Sequence, residues 1–477
     1  MKTLAFASGT LFVAGSGAYF VFKNPKTADE LRAELSRALE GKVVEDKVLL
    51  KEYNYDFGRT LHSEPRVVVH AKSTEDIAKT LMIARKWEVP VTVRGSAHSC
   101  YGQTLSDGGI LMINEREDPG FELVEGQMSV DSRTKWLALE KAINKKGRTC
   151  PVLTDYLDMT VGGTLSVGGY GLSSLHHGSQ GDNIEEISLV LPSGEMVHCS
   201  EKENSDLFQY SLGGLGQVGV IDKVRFKTRK YKQFSRVIYI DSHSVNEFIH
   251  DLETFVESKL SSEYDHFSAY YYGDKFTIEI AKSYRQREDA DGDTWTRQIE
   301  TMKSKGVAAR TMKDYHIRIH HTRKSWVNLY GKVHRLWDDY ILNADAYKEF
   351  LKRTLGARNE TKIAPPASYI LAINNEKKKR FCMTPDFGQK GKMLYGIGFY
   401  HMVRIGDKAQ LEAVKTQLEK NTRLCIDLGG RPYLYGWHCL NEEQKKALYS
   451  DSYSKIAALK KNKDPGNILN PGVLVNG

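Results

Sequence analysis

Three glycine-dense loops crowd the first half of this chain: RGSAHSCYGQTLSDGG at 94–109, GGTLSVGGYG at 162–171 and GGLGQVG at 213–219. Glycine admits positive φ and lets backbone approach a ligand closely. Successive N–H groups in such turns form concavities that suit a pyrophosphate. One loop of this kind is only a turn, but three within one unit of about 230 residues exceed what chain reversal needs. No GxxxxGK[ST] occurs, which excludes a P-loop, and no GxGxxG opens a helix after a first strand, which argues against a Rossmann site.

Between the loops, residues 66–113 alternate short β-rich runs (RVVVH, VPVTVR, GGILMIN) with one amphipathic helix over 74–87, capped by Ser73 or Thr74 with acidic residues in its first turn. That order argues for an α+β or α/β unit. A second helix is predicted over 133–147, ending at Gly147. IEEISLVLP and EMVHCS read as strands joined by a turn at Ser193 and Gly194. From about 235 the character changes: charged helical segments at 246–259, 325–354 and 407–421 alternate with aromatic strands HFSAYYYG and MLYGIGFYHMVRI. A boundary near 232 follows, giving units at 40–232 and 233–440. The segment 441–477, ending KNKDPGNILNPGVLVNG, is expected to fold back onto the first unit. A length of 477 residues accommodates that division.

Composition narrows the function. Hydrophobic residues make up 40% and charged residues 27%, ordinary globular values. A net charge of +8 is mild for this length, and the densest basic run, Lys377 to Arg380, is short; no nucleic-acid partner is expected. The cysteines (100, 150, 199, 382, 425 and 439) form no CxxC pair, and their spacing predicts neither a zinc site nor disulfide pairings. Asp289, Asp291, Asp293 and Glu300 imitate calcium-loop spacing, but Thr294 stands where the sharp turn needs glycine, so no metal is expected there. Residues 3–22 carry no charge and read as a signal peptide or a membrane anchor, so residues 1–25 are set apart from the fold and a secreted or anchored protein is expected.

Taken together, RGSAHSCYGQTLSDGG, TVGGTLSVGGYG, GGLGQVGVI and DPGNILNPG resemble the flavin-contacting loops and C-terminal signature of the vanillyl-alcohol-oxidase/p-cresol-methylhydroxylase (PCMH-type) class of FAD-linked oxidoreductases. Within it, TDYLDMTVGGTLS, HHGSQGDN and SGEMVHCSEKENSDLF are most similar to the cytokinin dehydrogenases. The resemblance implies an α+β fold: a two-subdomain FAD-binding domain plus a substrate (cap) domain with an antiparallel sheet. It implies FAD bound covalently through His98, where imidazole is nucleophilic when neutral. Arg94, Gly95, Ser99 and Gln103 belong to the same first loop. Thr160, Gly162, Gly163, Ser166 and Tyr170 align with the second, Ile221 with the adenine-side strand, and Asn470 with a polar residue near the flavin. Two positions depart from the pattern. Ala97 stands where a glycine usually precedes the histidine. Asp158 occupies the place of a second cysteine tether, and Cys150 lies eight residues too early, so one covalent bond is expected.

Flavin takes a hydride while the protein manages the substrate's proton. Asp155 matches the aspartate that accepts the amine proton in cytokinin dehydrogenases, with Asp158 as the neighbouring alternative. PYLYGWH at 432–438 offers Tyr433 or Tyr435 for the pocket, with weaker claims from Trp437 and His438; strand parity does not settle the direction of His401. The resemblance implies oxidation of a small molecule at a C–N bond, with electrons passed to oxygen or another acceptor. A sugar, alditol or lactone oxidase, and a flavin-binding redox sensor without turnover, are the alternatives.

Overall fold

The structure, a computed structural model, describes residues 27–272, 275–292, 294–295, 308–313, 331–356, 367–376 and 392–475. The 3–22 stretch, the Lys377–Arg380 run, Cys382, and Asp293 and Glu300 of the acidic loop lie outside these residues.

Three large sheets and a two-stranded ladder of Arg148–Thr149 with Arg229–Lys230 organise the described residues. In the first, Val67–His70, Ile110–Ile113 and Val91–Arg94 run parallel, with Lys42–Val43 antiparallel at one edge. Parallel strands need a crossover, and Thr74–Trp87 carries the chain from Val67–His70 to Val91–Arg94, the two strands that flank Ile110–Ile113: Ser73 caps it by accepting from the Asp76 N–H, and Glu88 ends it at φ +52°. Ile77, Leu81 and Ala84 pack on the strands together with Leu31 and Leu35 of helix Ala28–Ala38, so this core reaches back before residue 40.

The second sheet is antiparallel, in the order Phe121–Val124, Gln127–Asp131, Val220–Lys227, Ile184–Val190, Met196–Ser200. The helix expected over 133–147 spans only Trp136–Asn144. Its first turn cannot extend backwards because residues 132–134 are committed elsewhere: Ser132 N–H donates to Asp222 O (2.8 Å), while Ser132 O and Thr134 O accept from Gly162 N–H (2.8 Å) and Val161 N–H (2.9 Å).

The third sheet has eight strands, in the order Ala308–Lys313, Phe234–Ser242, Lys275–Tyr284, His266–Tyr272, Ala367–Asn374, Met393–Arg404, Val333–Asn343, Arg431–Pro432, every pairing antiparallel. Here the helix expected over 325–354 is corrected. Of the described residues in that span, Val333–Asn343 form a strand and Ala344–Leu351 are α-helical, with Asn343 as the cap. The strand is buried on both faces, so two adjacent aspartates and an arginine, Arg335, interrupt the apolar alternation that would have revealed it. The 246–259 prediction is also shortened, to an α-helix Val245–Leu252 followed by a π-helical turn at Glu253–Glu257, whereas the 407–421 helix extends over Lys408–Asp427.

One face of this sheet is closed by helices. Tyr395, Ile397 and Phe399 pack there against Phe248, Leu252, Tyr347 and Phe350, each such side chain contributing about 1.5–3 kcal/mol by burial. The other face, carrying Trp337, Tyr369, Leu371 and Tyr400, turns toward the glycine loops. Helix Glu442–Lys463 then returns the chain to the first sheet, where Leu469 bridges Val91.

Candidate active site

All three loops and the free face of the eight-stranded sheet enclose one cavity. The first loop is held from behind. Phe57 N–H donates to both Ala97 O (3.0 Å) and Ser99 O (3.1 Å), turning these carbonyls away from the cavity. Asp56 accepts from Gly102 N–H (2.7 Å) and Arg59 N–H (3.1 Å), and burial pushes its carboxyl up to about 6. Gln103 lines the cavity while its amide ties the loop to the chain after the last strand, donating to Leu434 O (2.7 Å) and Gly436 O (3.1 Å). Among the described residues, the N–H groups of Ser96, Ala97, His98 and Ser99 make no hydrogen bond to protein.

The second loop starts at Thr160, which caps the short helix Val161–Leu165 by accepting from Gly163 N–H (3.2 Å); Ser166 Oγ donates to Gly162 O (2.7 Å). A Cβ on Gly95 would stand 2.2 Å from Thr160 Oγ1, so only glycine lets the first two loops meet. Gly213 and Leu215 N–H groups donate to Leu165 O and Ser166 O (2.8 Å each), joining the third loop to the second. Asn470 closes the set: its Oδ1 accepts from Val93 N–H (2.9 Å) and its Nδ2 donates to Gly216 O (2.8 Å). The turn carrying Asn470 is fixed by the buried ion pair of Lys460 and Asp464 (2.7 Å), with Asp464 also accepting from Ile468 and Leu469 N–H groups.

His98 occupies an aromatic slot at the end of the first loop. Its ring stacks on Tyr156 (centroids 5.0 Å, 17°), lies against Phe57 (4.2 Å) and meets the edge of Trp337 (5.8 Å, 76°). Arg335 lies over the Phe57 ring, 4.4 Å from its centroid. Burial, with the Arg335 charge, pushes the His98 imidazole down to about 3, so it is neutral at physiological pH. Ala97, just before it, sits at φ +52°, a left-handed conformation that glycine would adopt without penalty.

Asp155, Gly95, Ser99, Thr160, Gly162, Gly163, Ser166, Tyr170, Ile221, Tyr433 and Asn470 also line this cavity. Arg94 does not: its guanidinium donates to Thr104 O (2.8 and 2.9 Å) and Tyr53 O (3.1 Å), bracing the loop from the adjoining recess. Asp158 lies in that recess too, beside the Tyr156 hydroxyl. Both tyrosines of PYLYGWH reach the cavity, Tyr433 accepting from Gly169 N–H through its hydroxyl (2.9 Å). Trp437 instead packs on Tyr101 (4.4 Å), and His438 Nδ1 accepts from Leu440 N–H (3.1 Å). His401 alternates with the cavity-facing Tyr400 and is buried on the opposite face. Cys150 is buried beside Glu140, away from the cavity. Cys100, Cys150, Cys199, Cys425 and Cys439 are unpaired, and no cluster suited to a metal occurs among the described residues.

Sequence reasoning missed the sheet wall. Asp339, Ile341, Tyr369, Leu371 and Tyr400 project into the cavity beside Gly396 and Gly398 of the Met393–Arg404 strand. Burial raises the Asp339 carboxyl to about 7 even though Tyr435 and Tyr400 hydrogen-bond to it. The alternate glycines of YGIGFY were the available signal, since two on one face of a strand leave a groove.

The main-chain donors of the first loop and the glycine contacts fit a dinucleotide laid along the loops. The comparisons agree. The model described as an FAD binding domain matches residues 65–200. An uncharacterised oxidoreductase of the fasciation locus in Rhodococcoides fascians is 27% identical over 90% of this chain and 97% of its own length. Cytokinin dehydrogenase 5 of Arabidopsis thaliana is 25% identical over 89% of this chain and 86% of its own. Cytokinin dehydrogenase 10 of Oryza sativa subsp. japonica reaches 37% over 39% of this chain and 37% of its own. The chain carries a PCMH-type FAD-binding domain within an α+β fold, and over most of its length it is similar to oxidoreductases that include cytokinin dehydrogenases.

Proposed function

We propose that this protein oxidises a C–N bond of a small amine, with FAD on the loop wall tethered through His98. When bound, the flavin supplies the hydride acceptor. One observation carries the reading: a single cavity gathers the three glycine loops, a neutral histidine, and Asp155, next in sequence to the ring that stacks on that histidine.

In this reading Gly95, Ser99, Thr160, Gly162, Gly163, Ser166 and Ile221 bind the dinucleotide, largely through main chain. Arg94, Gln103 and Asn470 hold those loops in position. Tyr170 and Tyr433, packed edge to face at 5.2 Å, close the apolar part of the cavity and keep water from the reacting bond. Asp155 takes the proton of the substrate amine as the carbon gives up hydride, a general-base role that contributes about 10²–10⁴-fold. Oxygen or another small acceptor removes the electrons afterwards. The flavin unit ends near 232, the substrate unit covers 233–440, and residues 3–22 serve export or anchoring.

Anaerobic mixing of the purified yellow protein with isopentenyl-type adenine amines and, separately, with polyols tests the substrate class. Amines are expected to bleach the flavin and polyols to leave it oxidised. Bleaching by polyols alone would replace the amine reading, and bleaching by neither would leave a flavin-binding sensor. Asp155→Asn is expected to slow amine-driven bleaching about 10²–10⁴-fold; an unchanged rate would remove Asp155 from the role of base.

A further inference from the structure

The sheet wall places a second carboxyl group in the cavity, on a strand far in sequence from Asp155. Asp339 leaves Val333–Asn343 on the cavity face, directly across the ladder from Gly398. Gly398 in turn faces Tyr369 on the next strand. The glycine is required: a Cβ there would stand 2.3 Å from Asp339 Oδ1 and 3.0 Å from the Tyr400 ring. Tyr400 and Tyr435 hydrogen-bond to the carboxyl, whereas its Oδ2 is buried with no protein partner. The preceding residue, Asp338, points to the helix side, where its Oδ2 accepts from Tyr340 Oη (2.6 Å) and Asn421 Nδ2 (3.4 Å) and its Oδ1 is likewise buried without a partner; Asp339 differs in facing the ligand cavity. A buried carboxylate oxygen without a donor is costly, and in a ligand cavity the ligand is the natural donor.

We propose that Asp339 is a substrate-binding and specificity-determining residue, accepting an N–H or O–H of the substrate at Oδ2 and excluding anionic substrates. The proposal deepens the amine-oxidase reading and rests on it for the identity of the donor. Tyr400 and Tyr435 hold the carboxyl, Gly398 gives it room, and the aliphatic flank of Ile341 and Leu371 receives the apolar part of the molecule. The other ionisable groups around it are Tyr369 and Tyr400 on neighbouring strands, Tyr433 and Tyr435 after the last strand, Cys100 from the first loop and Asp338 beside it. Burial drives Tyr433, Tyr435, Cys100 and Asp338 upward and His98 down to about 3, while Asp339 sits at about 7. Substrate binding therefore weakens as pH falls through neutrality and this carboxylate takes up a proton.

The test follows binding by flavin absorbance in the holoprotein between pH 6 and 8, with N6-isopentenyladenine as the donor probe and 3-methylbutanoate as the anionic probe. Wild type is expected to bind the donor probe better at the higher pH and to reject the anion there. Asp339→Asn, with flavin content as the check on folding, is expected to weaken the donor probe about 10- to 100-fold, flatten its pH dependence and admit the anion. Tyr435→Phe, which removes a hydrogen bond that lowers the Asp339 value, is expected to move the midpoint of the pH dependence upward. Asparagine binding both probes as wild type does, or an unmoved midpoint in Tyr435→Phe, would overturn the proposal. Failure of the amine reading is distinguishable: the amines then neither bind nor bleach, while rejection of the anion by wild type and its admission by Asp339→Asn still decide the role of Asp339.

Discussion

The two walls of the cavity are rigid for opposite reasons. The loop wall presents main chain, and its shape is fixed by buried polar groups behind it: Asp56 under the first loop, Asn470 between the first and third, and the Lys460–Asp464 pair behind Asn470. The sheet wall presents side chains, and its shape is fixed by the ladder of three adjacent strands. A main-chain surface recognises phosphates and ribose whatever the rest of the ligand is. A side-chain surface discriminates among substrates. Substitutions behind the loop wall should therefore act on cofactor retention, and substitutions on the sheet wall on substrate selection.

The largest expected effect breaks the loop wall from a distance. Asp464→Ala leaves the Lys460 ammonium buried without its partner and removes the acceptor for Ile468 and Leu469 N–H. Breaking such a pair costs about 3–5 kcal/mol, so thermal unfolding should shift far down and the flavin should be lost; a near-wild-type melting curve would show that the loops do not depend on this anchor. Next, Gly95→Val forces a Cβ into Thr160 Oγ1, 2.2 Å away. Overpacking of about 1–3 kcal/mol amounts to roughly tenfold to a hundredfold in flavin affinity, measured by flavin content after dialysis. Leu371→Met on the sheet wall, a volume-conserving change, should keep full flavin content and alter KM; flavin loss there would erase the distinction between the walls. The smallest effect is Ala97→Gly, expected to stabilise the protein by about 0.5–1 kcal/mol because the left-handed turn at φ +52° no longer strains a Cβ.

How far each wall could be read from residues follows from its construction. Loops that must bring main chain to a ligand carry glycine at fixed spacing, so 94–109, 162–171, 213–219 and 464–472 were visible, with His98 inside the first; Asp155 lies outside all four and was suggested only by the resemblance of TDYLDMTVGGTLS to the cytokinin dehydrogenases. The sheet wall depends on partners from distant segments. Asp339 matters because Gly398 and Tyr435 meet it, and nothing local in LWDDYIL signals that meeting. The same strand, buried on both faces with charges inside, reads as helix when only its composition is weighed. Arg94 shows the converse: its place in the first loop was legible, but strand parity aims its side chain into the recess behind.

The central claim is that the loop wall carries FAD with His98 as its tether. Intact-mass spectrometry of the denatured wild-type chain and of His98→Ala tests it most directly. One FAD attached to the wild-type polypeptide and none attached to His98→Ala is the expected result, and the variant should still copurify with flavin released on denaturation. A wild-type chain that sheds all its flavin, or a His98→Ala chain that keeps it attached, would contradict the claim.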